Sequence, residues 1–102
     1  MSIANLEAAV EAAQLQTDVT RDMWAAFVRL VVSSNERLAD GTLRGRKRLR
    51  AKQDLKFTTD QAVAAEKDHS TAMASELRLR RELDEARKER DGKLLDIAMR
   101  RP

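Results

Sequence analysis

Read from Ile3 in alternating steps of three and four, the chain presents Ile3, Leu6, Val10, Ala13, Thr17, Thr20, Trp24, Phe27, Val31, Ser34 and Leu38, eight of the eleven apolar. This spacing averages 3.5 residues and keeps one seam facing a neighbouring helix along its whole length, the pattern of a coiled coil. Asp40 and Gly41 follow as a stop, because glycine readily takes the left-handed conformation that ends a helix. The pattern predicts a first helix within residues 1–40, its seam from Ile3 to Leu38 running roughly 54 Å at about 1.5 Å per residue. The two threonines weaken the middle of the seam, and "TDVTRD" is where a break with a fresh N-cap competes.

Between Met23 and Val32 the apolar surface widens beyond a seam. Met23, Val28 and Leu30 flank Trp24, Phe27 and Val31, while Asp22, Arg29 and Glu36 mark the wet side. A stripe of this width suits a helix that touches two or more neighbours.

A second start signal stands at Phe57, Thr58, Gln61 and Ala62. Thr58 and Gln61 fit a reciprocal capping box, with Phe57 packing on Ala62. Beyond it only Gly92 interrupts before Pro102, so a second helix is expected over residues 58–102, on the order of 60 Å long. Its seam reads Ala62, Ala65, His69, Ala72, Met73, Leu79, Leu83, Ala86, Leu94 and Ile97, mostly alanine in its first half. Small residues allow close approach but bury little area. Pairs at four-residue spacing, Arg78–Glu82, Arg80–Asp84, Arg81–Glu85, Asp84–Lys88 and Glu89–Lys93, mark a solvated helical face. Arg100 and Arg101 suit the C-terminal end of the helix dipole.

Residues 41–57 join the two helices and contain "LRGRKRLRAKQDLKF", in which every even position from Arg44 to Lys56 is charged. Strict alternation is the signal of a half-buried strand. Yet Arg, Lys, Leu, Ala and Gln are helix formers, so an extended segment or short β-hairpin and a helix are both open here. The expected fold is mainly α: two long helices in a hairpin or coiled coil, joined by a basic connector, in a single domain of 102 residues.

Charge concentrates in that connector. Residues 1–40 carry three arginines against six acids, Leu43 to Lys56 seven cations against Asp54, and the remainder ten of each sign, within an overall +3. Arg44, Arg46, Lys47, Arg48, Arg50, Lys52 and Lys56 are therefore candidates for a salt-sensitive, sequence-independent attraction to nucleic acid or another anionic surface. No aromatic lies between them to stack on unpaired bases.

Other chemistry is sparse. There is no cysteine, which removes thiol catalysis and Cys-based zinc sites. His69 is the single histidine, and "EKDHS" puts Glu66 on its helical face, too few groups for a metal site. No phosphate loop, nucleophile elbow or HExxH occurs, so no enzyme, metal, cofactor or small-molecule ligand is expected. The longest apolar window, "MWAAFVRLVV", is about half of a membrane span and contains Arg29. "MSIANLEAAVEAA" lacks a basic segment and carries Glu7 and Glu11, unlike a secretory signal, so cytoplasmic synthesis is expected.

A two-helix hairpin facing a broad aromatic stripe with an alanine-rich seam leaves apolar surface uncovered. The expectation is a structural or interaction protein forming a homo-oligomer or part of a multisubunit particle, such as a bacteriophage virion. Met23, Trp24, Phe27, Val28, Leu30, Val31, Leu79, Leu83, Leu94 and Ile97 are its candidate interface. A small basic nucleic-acid-binding protein is the alternative, and an inhibitor or adaptor of another protein the third reading.

Overall fold

The computed structural model describes residues 1–100 and consists of two helices, α1 (Ile3–Ala39) and α2 (Gly45–Arg100), packed antiparallel as a hairpin. Arg101 and Pro102, assigned above to the second helix, lie outside the described residues. The hairpin is a rod of 88 × 18 × 13 Å with a radius of gyration of 23.7 Å, against about 13 Å for a compact domain of this length.

α1 begins where Ser2, with extended backbone, accepts a hydrogen bond on its hydroxyl from the Asn5 amide at 3.1 Å. This satisfies one of the amides that a helix start leaves unpaired. It ends at Asp40, which is also extended rather than left-handed. A turn follows in which the Thr42 amide and hydroxyl donate to Asp40 Oδ1 at 2.9 and 2.7 Å, and the Leu43 amide donates to the Asp40 carbonyl. These bonds to the ionised form, the backbone amide foremost, hold the Asp40 carboxyl below its ordinary value. The left-handed residue is Gly45, with φ of 56°, at the entry to α2. Gly41, expected in that role, does not have positive φ.

The largest departure from the sequence reading concerns residues 41–57. α2 runs without a break from Gly45 through Thr58, and no strand occurs among the described residues. Helix propensity prevails over the alternating pattern because the helical form buries Ala51 and half-buries Arg48, Leu55 and Thr58 along one face. Thr58 consequently caps nothing: its hydroxyl donates back to the carbonyls of Asp54 and Leu55 at 2.9 and 3.1 Å, the usual behaviour of a threonine inside a helix.

All eleven seam positions of α1 are buried or half-buried. The facing seam of α2 runs Arg48, Ala51, Leu55, Thr58, Ala62, Ala65, His69, Ala72, Glu76, Leu79, Leu83 and Ala86, also in steps of three and four and also buried or half-buried. Met73, expected in this seam, is exposed, and Glu76 takes the facing position. The largest core cluster is Leu6, Val10 and Leu83, with Ile3, Leu79 and Ala86 packed on it.

Midway, Thr20 is buried. Its hydroxyl back-bonds to the Gln16 and Thr17 carbonyls, leaving its oxygen 3.2 Å from His69 Nδ1. The Trp24 ring lies 5.6 Å from the His69 ring at 31°. A polar pair buried between two helices favours the one register that satisfies it. Ion pairs Glu7–Arg87 and Arg37–Asp54 tie the helices near the two ends of α1. In this register Ile3 lies level with Ala86, so the last turns of α2 extend beyond α1.

Candidate interaction surfaces

The residues proposed from the sequence as an interface fall into three groups. Trp24, Phe27, Val31, Leu79 and Leu83 line the intramolecular seam; Leu83 is buried and the other four are half-buried. Met23, Val28 and Leu30 are exposed on α1. Leu94 and Ile97, read as seam residues, are also exposed. Leu94 borders a groove with Met1 and Ile3 at the start of α1, and Ile97 lies about a turn further along α2, on a stretch where every residue from Asp91 to Arg100 is exposed. The structure thus brings the aromatic residues and the two central leucines of α2 onto one seam, and separates the remaining five from it.

Sequence reading did not single out the second apolar face of α1. Ala12, Leu15, Val19, Met23, Ala26 and Leu30 follow one another at intervals of three and four, and Leu15, Val19, Met23 and Leu30 are each about half exposed or more. On a helix of 3.6 residues per turn this stripe lies about 130° around from the seam. The signal was present as an eleven-residue repeat, Ala12 to Met23, Leu15 to Ala26 and Val19 to Leu30, which runs nearly parallel to the helix axis. It is masked in the sequence because Met23 and Leu30 also flank the wide aromatic stripe.

Charges on α1 divide into paired and unpaired. Asp18 and Asp22 are each 3.5 Å from Arg21, Glu7 is 3.5 Å from Arg87 and Arg37 is 3.6 Å from Asp54. Glu11, Arg29 and Glu36 have no ion-pair partner among the described residues, and all three are exposed. Of the five pairs read along α2, Asp84–Lys88 and Glu89–Lys93 form. Arg80 turns instead to Glu76, 3.0 Å away, and to Gln14 of α1.

The seven cations of the former connector decorate the turn and the first turns of α2, at one end of the rod. Arg48 donates to the Leu38 carbonyl at 3.3 Å and so satisfies an open carbonyl near the end of α1. Arg44, Arg46, Lys47, Arg50, Lys52 and Lys56 are exposed and have no ion-pair partner among the described residues. Arg46, Lys47 and Arg50 border one shallow groove with Leu49 and Gln53. The positive charge is thus gathered on a helical tip rather than along a strand.

His69 is engaged with Thr20 and Trp24 inside the seam, where its ring is a packing element. A groove runs beside the seam between Ala13, Thr20 and Met23 of α1 and Asp68, Thr71 and Ala72 of α2. No helix among the described residues is long and apolar enough to cross a membrane. Comparison with protein-family models, curated proteins and solved structures returned no match.

Proposed function

We propose that this chain is a non-enzymatic structural or interaction protein that assembles through its long helices into a homo-oligomer or larger multisubunit particle. One observation carries the reading: the hairpin exposes 8049 Å², whereas a compact monomer of 11.6 kDa exposes about 5,800 Å². The excess, about 2,200 Å², is larger than the roughly 800 Å² that each partner contributes to an ordinary stable interface. It includes Leu15, Val19, Met23 and Leu30 on α1 and Leu94, Leu95, Ile97 and Met99 on α2, all more than 45% exposed. Rows of exposed apolar side chains on so small a chain support an association role.

The direct test is the mass of the purified chain in solution. Sedimentation equilibrium across a wide concentration range should give at least twice the chain mass. A monomer at every concentration, with full helicity by circular dichroism, removes self-assembly.

A second reading has its own observation. Six cations at the turn end are exposed and lack ion-pair partners among the described residues, so the tip would suit a polyanion such as nucleic acid. Retention on heparin or DNA that falls steeply with salt and is lost in the Arg46→Ser, Arg48→Ser, Arg50→Ser triple variant would favour it. Retention unchanged by that triple change counts against it.

A further inference from the structure

We infer that the second apolar face of α1 is a two-fold homodimer interface, in which α1 packs antiparallel on α1 of a second copy around a point near Val19 and Met23. This rests on the self-assembly reading and names its partner and register. The stripe is close to symmetric about its own centre. Turned end for end on itself, it sets Ala12 opposite the partner's Leu30, Leu15 opposite the partner's Ala26, and Val19 opposite the partner's Met23. Each layer then joins a smaller residue to a larger one, which is how facing helices interdigitate without voids or overlap. The reverse contact repeats each layer, as an isologous interface requires.

Charge selects the same register. Glu11 and Arg29 both stand about 80° from the centre of the stripe on the same side, the flanking position from which charges meet across an antiparallel helix pair. In the arrangement that aligns the apolar layers, Glu11 of one copy falls within a turn of Arg29 of the other, and the two-fold makes the pair twice. Neither residue has an ion-pair partner within the described residues of its own chain. The acids closest to the two-fold, Asp18 and Asp22, would meet their counterparts there, but each lies 3.5 Å from the Arg21 guanidinium of its own chain. A parallel pairing would instead put the Glu11/Arg29 flanks of the two copies on opposite sides of the interface, with Glu11 and Arg29 about 27 Å apart along the axis, and would form neither ion pair.

The layers run over about 27 Å of helix, and the seam that folds the hairpin lies on a different face of α1. Folding and dimerisation are therefore separable by mutation. Leu15→Glu in the full-length chain should leave the circular dichroism spectrum and unfolding midpoint of the monomer unchanged, and should halve the sedimenting mass. Glu11→Arg or Arg29→Glu alone should weaken the dimer by about ten-fold, and the two together should restore it. Because the chain has no cysteine, the Ala12→Cys, Leu30→Cys double variant should oxidise to a covalent dimer, whereas Ile97→Cys, exposed near the end of α2, should not cross-link through this contact.

A wild-type chain that is monomeric throughout sinks both this inference and the assembly reading. An oligomer that survives Leu15→Glu, or that neither single charge reversal weakens, overturns this interface alone and turns attention to the C-terminal stretch of α2.

Discussion

The two halves of the seam bury their side chains very unequally. Where Ile3, Leu6 and Val10 meet Leu79, Leu83 and Ala86, the central leucines retain only 4% and 7% exposure. Where Trp24, Phe27 and Val31 meet the alanine-rich stretch of α2, all three stay only half-buried. The two aromatic rings are less buried than Leu6 and Leu83 because an alanine opposite them presents a single methyl group and covers little of a ring. Burial is set by the partner's reach as much as by a residue's own hydrophobicity. In the aromatic half that reach is short, and the same stretch of α1 carries the exposed stripe on its other side.

The sharpest way to break this contrast is truncation in the well-buried half. Leu6→Ala and Leu83→Ala should each destabilise the hairpin by about 2–4 kcal/mol, read from the denaturant midpoint. That loss is a large share of what so small a fold possesses. Phe27→Ala removes a bigger side chain from the half-covered region and should cost less, about 2 kcal/mol. If it costs as much as Leu6→Ala under conditions where the chain is monomeric, the aromatic half is better covered than the rod geometry implies.

A smaller effect tests the hinge between the halves of the hairpin. Gly45→Ala forces a side chain into a left-handed backbone, a penalty of about 1–2 kcal/mol, even though a methyl group there meets no atom within 4 Å. Gly41→Ala, at a residue without positive φ, should be close to neutral, and the difference in melting temperature between the two variants measures which glycine shapes the turn.

The smallest effect is titration of Asp40. Its carboxyl is held below its ordinary value of 3.8 by the Thr42 amide and hydroxyl. A depressed carboxylate stabilises the fold above its unfolded value, and that contribution disappears as pH falls through the folded one. Melting temperatures of the wild type and Asp40→Ala should therefore differ at neutral pH and converge under acid. A gap that persists in strong acid would assign the difference to something other than the ionised carboxylate.

Much of this molecule was legible along the chain, and the residues show why. The α1 seam was readable at all eleven positions because a 3.5-residue period is local, requiring nothing from the partner except that it exist. The run from Gly45 to Lys56 was ambiguous because its local signals conflict: alternation favours a strand, propensity a helix. What settled it was that Ala51 and Leu55 fall on the continuing face of α2. Thr58 illustrates the converse. A sound capping pattern was overridden because a helix already begun upstream gains more by continuing across the seam than by restarting.

The candidate surfaces divide along the same line. That residues around Trp24 are too apolar for an alanine-rich mate, and that the positive charge is concentrated between Arg44 and Lys56, follow from residue types and order alone. Which apolar residues are left uncovered does not. Leu94 and Ile97 stay exposed because the register is pinned at Thr20–His69 and Glu7–Arg87 and α1 begins level with Ala86, and Met23 and Leu30 stay exposed because their stripe lies to one side of the seam. Sequence determined periodicity, composition and charge, which are properties of neighbours along the chain. Tertiary structure alone decided register, overhang and the free face of α1, because these depend on where a distant segment comes to lie.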